Sequence, residues 1–315
     1  MKRKIHTGYE IFEELNDKLI EEMKGNGTQY TEGVDKLVQY DRPADVSIRE
    51  IDIKCLDGTN TIALHLFEKE GMGENVPLLI AIHGGGYTGG SVDFDRNRVT
   101  YYVENVGCRV ICVDYRLAPE GRFPKSLEDC YAALIYAYDH ADELKIDRER
   151  IALCGYSAGG TLAAGLALYA RDKGGPKISA LLLTYPVLKC TLDSPSAMQF
   201  YREDDTPMLH GFDFPRMARD YMGDLDGRNP SYYAMPAYCS DLSGMPPTAI
   251  CVGELDPLRD ECMEFAARLM RVGVPAEFYC LPRMSHSFDL YTEGELTQWI
   301  WQAFARALKR EFSML

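Results

Sequence analysis

The apolar run Ile151-Ala152-Leu153-Cys154 leads directly into Gly155-Tyr156-Ser157-Ala158-Gly159, and then into a small-residue helical pattern from Gly160 to Ala170. Strand, sharp turn and helix in that order make a unit of a parallel sheet, with a serine at the apex. A Cβ at either flanking glycine would clash with the neighbouring strand or helix. The Ser157 N–H sits at a helix N-terminus, where the dipole favours developing negative charge. Ser157 is therefore the candidate nucleophile, with an ordinary turn serine as the alternative.

A nucleophilic serine needs a base, a carboxylate to orient that base, and donors for an oxyanion. In a strand–elbow–helix arrangement the acid and the histidine follow the serine along the chain. Two histidines do so, His210 and His286. His286 lies in Arg283-Met284-Ser285-His286-Ser287-Phe288, just past the strand-like Ala276–Leu281, in a loop from which an imidazole can reach the serine. His210 lies in an irregular stretch with Pro207 and Gly211, so His286 is the expected base. The apolar run Thr248–Val252 opens into Gly253-Glu254-Leu255-Asp256-Pro257-Leu258-Arg259-Asp260-Glu261. Asp256 precedes a proline, which biases it toward extended loop backbone. Asp260 and Glu261 open the next helix, where acids serve the dipole. Asp256 is the expected orienting acid, with Glu254 in reserve. Before all of these, Pro77–Ile82 runs into His83-Gly84-Gly85-Gly86-Tyr87. Three consecutive glycines let backbone N–H groups converge on one point. Gly84, Gly85, Gly86 and Ala158 are the expected oxyanion donors, and His83 is read as a brace for the glycine turn. Tyr87 and Tyr156, beside the turn and the serine, are read as substrate-binding.

The set resembles the hormone-sensitive-lipase-like branch of the α/β-hydrolase esterases. The resemblance is carried by His83–Tyr87, Asp114-Tyr115-Arg116-Leu117-Ala118-Pro119-Glu120, Gly155–Gly160, Asp256–Glu261 and Ser285–Phe288, in family order over roughly residues 75–290. It implies hydrolysis of carboxylic esters without a cofactor. It also implies that Asp114 and Arg116 brace loops beside the site, and that the chain forms a homodimer. Where the family commonly has Asp or Thr before the serine, this chain has Tyr156.

The surrounding sequence fits one α/β domain over residues 1–315. Val46–Cys55 and Thr61–Phe67 alternate like an antiparallel edge. Strands at Leu78–Ile82, Arg109–Val113, Arg150–Cys154, Ser179–Tyr185, Thr248–Val252 and Ala276–Leu281 then alternate with helices at Ser126–His140, Arg259–Val272 and Glu293–Lys309. That order predicts a mostly parallel sheet with helices on both faces. About sixty residues separate Tyr185 from Thr248, too many for a bare connection. With the helical-looking N-terminus, this stretch is the expected cap, from about 1–45 and 187–240. Its aromatics, among them Phe200, Tyr201, Phe212, Phe214, Tyr221, Tyr232 and Tyr233, either form the cap's own core or line a substrate tunnel.

A formal charge of −14 argues against nucleic-acid or anionic-membrane partners. No apolar run is long enough to span a bilayer, and no signal-peptide core follows Met1-Lys2-Arg3-Lys4. The ten cysteines lack paired spacing, and Cys112, Cys154, Cys251 and Cys280 sit inside apolar strands. They read as buried free thiols of a cytoplasmic protein. No cluster has metal-ligand spacing. The expected activity is a serine carboxylesterase acting on small short-chain acyl esters. An amidase or formamidase on the same residues is the alternative within the class. A non-catalytic protein binding a ligand in the capped pocket is the alternative outside it.

Overall fold

The computed structural model describes residues 6, 8–10, 14, 40–189, 191, 193–200, 214–223 and 230–313. Its strands are β1 (Val46–Lys54), β2 (Thr61–Lys69), β3 (Val76–Ile82), β4 (Arg109–Val113), β5 (Ile146–Tyr156), β6 (Ala180–Thr184), β7 (Thr248–Gly253) and β8 (Ala276–Leu281). They form one sheet in the order β1-β2-β4-β3-β5-β6-β7-β8. β1 and β2 are antiparallel to each other, and β2 to β4; all later neighbours are parallel. Every residue of β4, β6 and β7 is buried. Successive side chains of a strand face opposite ways, so both faces of the sheet are covered.

The covering helices include α1 (Arg96–Val106), α2 (Lys125–Asp139), α3 (Ala158–Lys173), α6 (Arg259–Arg271) and α7 (Glu295–Ser313). α1 packs on α7, and α2 on α3. α3 begins Ala-Gly-Gly-Thr and is buried for most of its length. Small side chains there let it lie against β5 and β6. Between β6 and β7 come α4 (Pro195–Phe200), α5 (Phe214–Met222) and a short 3-10 turn, Pro236–Tyr238.

The strands expected from the sequence all form. β5 begins earlier than the apolar run indicates, because Val76 of β3 pairs with Ile146 across a register shift. α1 carries Val99, Tyr102, Val103 and Val106 at helical spacing, but its β-branched and aromatic residues are weak helix formers and mask the pattern. The expected N-terminal helix, carried by Ile11, Phe12, Leu15, Leu19 and Ile20, lies outside the described residues, as do Tyr201, His210, Phe212 and the side chain of Phe214. Near that end Tyr9 is buried, and its hydroxyl accepts a 2.9 Å hydrogen bond from the Thr297 N–H. Cys112, Cys154 and Cys251 are buried free thiols, but Cys280 is exposed. β8 is the edge strand, so its outer flank lacks the cover that the inner strands have.

Candidate active site

Five strands deliver the site from their C-terminal ends, the usual place for a ligand in an open α/β sheet. β5 ends at Tyr156, and Ser157 caps α3 with φ 52° and ψ −121°. That backbone is strained for a serine and persists because its surroundings hold it. The Ser157 N–H donates to Thr184 O at 3.0 Å, fixing the elbow to the end of β6. A Cβ on Gly155 would lie 2.2 Å from Gly159 O, and one on Gly159 would lie 2.1 Å from Ile82 O. Backbone on both sides leaves room for hydrogen alone. Ser157 itself is half-buried, so its hydroxyl remains reachable.

The structure brings Ser157, His286 and Asp256 together. Ser157 Oγ is 2.9 Å from His286 Nε2. His286 Nδ1 is 2.8 Å from Asp256 Oδ2. A carboxylate facing Nδ1 places the ring proton there, leaving Nε2 to accept from the serine. Asp256 is wholly buried, and its other oxygen accepts the Leu258 N–H at 2.9 Å. The neighbouring acids are engaged elsewhere. Glu254 Oε2 accepts from the Arg283 N–H at 2.9 Å, bracing the histidine loop. Asp260 accepts from the Ser196 N–H at 2.8 Å, and Glu261 from the Leu188 N–H at 2.7 Å. Burial pushes the Glu261 carboxyl up to about 8, although the Leu188 N–H opposes the shift.

The glycine turn lies against the serine. A Cβ on Gly84 would sit 3.3 Å from Ser157 Cβ. Gly85 and Gly86 have φ of 114° and 64°, a backbone that L side chains rarely adopt. Ala158 opens α3, so its N–H has no carbonyl one turn back in the helix. His83 is buried beneath this turn. Its ring stacks on Tyr115 at 4.3 Å, and Nδ1 lies 2.7 Å from Gly84 O. Burial lowers its pKa, so it sits there as a neutral ring. Arg116 braces a neighbouring loop through Asp129 (2.7 Å) and Asp57 (2.8 Å).

The two tyrosines read as substrate-binding are placed otherwise. Tyr156 is buried with its hydroxyl 3.6 Å from Cys154 Sγ and its ring 3.7 Å from the Arg98 guanidinium carbon. Alternation along β5 explains this: Tyr156 shares a face with Cys154 and turns into the core. Tyr87 is also buried. Its hydroxyl donates to Thr161 Oγ1 at 2.9 Å, and its ring stacks on Tyr221 at 4.1 Å. Both side chains are buried and packed against neighbouring side chains.

Met217 and Tyr185, not singled out from the sequence, also meet here, with Tyr221 of the aromatics read as cap core or tunnel lining. A Cβ on Gly86 would lie 2.1 Å from Met217 Cε, so α5 lies over the glycine turn. Met217 and Tyr221 are one turn apart and share a face; their helical spacing was the available signal. Tyr185, just after β6, lies 4.4 Å ring to ring from His286. Among the described residues no group of three or more His, Cys, Asp or Glu side chains is arranged to hold a metal ion. Nor is any described helix long and apolar enough to cross a membrane.

Residues 79–290 match the family described as alpha/beta hydrolase fold. The chain belongs to that family. It is a hydrolase, and the hormone-sensitive-lipase-like resemblance read from its motifs holds. The chain is 35% identical over 215 residues to the esterase LipI of Mycobacterium tuberculosis, covering 68% of this chain and 66% of LipI. It is 34% identical over 236 residues to the carboxylesterase NlhH of the same organism, covering 74% and 72%. Among solved structures, a bacterial heroin esterase superposes with a TM-score of 0.81 at 36% identity, covering 85% of each chain.

Proposed function

We propose that this α/β-hydrolase is a serine carboxylesterase for short-chain acyl esters, with Ser157 as nucleophile, His286 as general base and Asp256 as the carboxylate that orients it. The observation that carries this reading is the unbroken relay from Asp256 through His286 to Ser157, at 2.8 and 2.9 Å. Esterase and carboxylesterase names among its relatives support the ester class.

In the first half-reaction Ser157 Oγ attacks the ester carbonyl carbon while its proton passes to His286 Nε2. Asp256 stabilises the imidazolium and keeps the proton on Nδ1. The carbonyl π electrons move to oxygen, and the N–H groups of Gly85, Gly86 and Ala158, with Gly84 beside them, receive that oxyanion. The carbon–alkoxy bond then breaks, and the imidazolium gives its proton to the leaving alcohol. In the second half-reaction water loses a proton to His286, attacks the acyl carbon and releases the acid, and the proton returns to Ser157. The serine proton leaves with the alcohol, and water supplies the electron pair that displaces Ser157 Oγ and the proton that restores it.

The short-chain preference follows from the cap. Residues from about 1–45 and 187–240 would close over the serine, and Met217 of α5 already covers Gly86. Each extra methylene gains about 0.8 kcal/mol while it finds apolar wall. Past the end of a bounded pocket crowding costs about 1–3 kcal/mol. Aryl esters of C2 to C12 acids test this. The expected result is kcat/KM peaking between acetyl and hexanoyl; values still rising at C10 or C12 would overturn the bounded pocket, and no hydrolysis at all would overturn the ester reading. A cytoplasmic homodimer completes the proposal, on the scattered free thiols and the family resemblance respectively.

A further inference from the structure

A buried ionic cluster joins the elements that carry Ser157 and His286. At its centre is Arg98 of α1, 3% exposed. Its Nη1 donates to Asp289 Oδ2 at 2.7 Å and to the Tyr185 hydroxyl oxygen at 3.3 Å. Its Nη2 lies 3.0 Å from Asp95 Oδ1 without making a hydrogen bond to it. The guanidinium also covers the ring of Tyr156, the residue before Ser157, at 3.7 Å. The Tyr185 hydroxyl donates to Asp289 Oδ1. Asp289, Asp95, Tyr185 and Tyr156 are each at most 3% exposed.

The cluster is an expensive way to stabilise a core. Burying an arginine between two carboxylates costs desolvation that apolar side chains would avoid. What a guanidinium supplies in return is fixed geometry: planar, forked, and able to hold a carboxylate and an aromatic face at once. Here the contacts to Asp289, Tyr185 and Tyr156 reach elements beside the relay, while Nη2 faces Asp95 at the start of α1. Asp289 belongs to the short turn Phe288–Leu290 that follows His286. Tyr185 packs on the imidazole at 4.4 Å and holds φ 38°, a strained value for a tyrosine. Such a conformation persists only where the surroundings over-determine it. Asp289 does so by gripping the Tyr185 hydroxyl while Arg98 grips Asp289.

We propose that Arg98 is a positioning residue for the hydrolysis: through Asp289 and Tyr185 it fixes the imidazole of His286, and through the Tyr156 ring it fixes the strand end that presents Ser157. This rests on Ser157 and His286 acting as proposed above. Arg98 touches no reacting atom, so its contribution should appear in turnover and not in substrate binding.

The test compares Arg98→Lys with Arg109→Lys. Arg109 is equally buried and paired with Glu68 at 3.0 Å, but it starts β4 at the opposite end of the sheet from the site. Lysine keeps the charge in both and loses the fork. Arg98→Lys is expected to lower kcat at least ten-fold with KM within two-fold of wild type. Arg109→Lys should lose thermal stability with kcat within two-fold. In a double-variant cycle, Arg98→Lys with Asp289→Asn should lose less kcat than the product of the single losses, because the two changes share the Arg98–Asp289 contact. Where Arg98→Lys does not fold, Tyr185→Phe carries the same test: it removes one oxygen and should lower kcat at least three-fold at unchanged KM. The proposal is overturned if Arg98→Lys, or Tyr185→Phe in its place, keeps kcat within two-fold, or if the loss falls on KM alone. Absence of ester hydrolysis by the wild type would instead overturn the proposed function, so the two failures are distinguishable.

Discussion

Asp256, Glu254, Asp260 and Glu261 lie in one short loop and helix start, yet each has its own partner. Asp256 faces His286, Glu254 holds the Arg283 N–H, and Asp260 and Glu261 hold the chain beyond β6. Asp256→Asn should therefore lower kcat by about three to four orders of magnitude, because an amide can favour the wrong imidazole tautomer. Asp260→Asn should cost less than about ten-fold, since it disturbs only the Arg259 ion pair and the Ser196 N–H contact, neither of which touches His286. Steady-state kinetics on one aryl ester rank the two, and a reversed ranking would move the orienting role to Asp260. That Ser157, Asp256 and His286 converge was readable because residue type and chain order together pointed to it, and the order is a property of the fold. The placement of Tyr156 and Tyr87 was not. Their direction depends on how β5 alternates and how the glycine turn folds under α5, and residue type carries neither.

At the scale of elements, the glycine turn and α5 act on each other. Gly86 combines a left-handed φ with Met217 directly over it. Gly86→Ala would strain the backbone by about 1–2 kcal/mol and push against Met217. The expected effect on kcat is about two to three orders of magnitude, the usual cost of losing one oxyanion donor. The fold should survive, because the end of the Met217 side chain can move. Kinetics with a melting curve separate these outcomes; wild-type kcat would exclude the Gly86 N–H from the oxyanion site. The parallel strands were legible because buried strands read as short apolar runs between turn signals. α1 was hidden by its valines and tyrosines, which local propensity assigns to strands. Cys280 looked buried because its run is apolar, but only tertiary order makes β8 an edge.

For the molecule as a whole, buried acids give stability an unusual pH dependence. Burial pushes Asp95 up to about 7, with Arg98 opposing and Asp289 adding, and pushes Glu261 up to about 8. Both folded-state values lie above the unfolded carboxylate range of about 4. The favourable contribution of each neutral form is thus complete below about pH 4 and is lost as pH rises through about 7 to 8. Glu261→Gln keeps an acceptor for the Leu188 N–H and cannot ionise. Its Tm relative to wild type should be near zero at pH 5 and clearly positive at pH 9; a difference that does not change with pH would show that Glu261 is charged throughout. The α/β sheet was legible from the alternation of elements, whereas α4 and α5 between β6 and β7 were not, because each is too short to show a clear period. The central claim is that one serine, raised on its elbow, does the chemistry. The most direct measurement is labelling with a fluorophosphonate, read by intact mass and peptide mapping, with a melting curve and an ester assay on Ser157→Ala. The expected result is one adduct per chain, on Ser157, absent in a variant that melts like wild type and keeps less than about one per cent of its activity. An adduct on another residue, or a Ser157→Ala protein that still turns over ester, would contradict it.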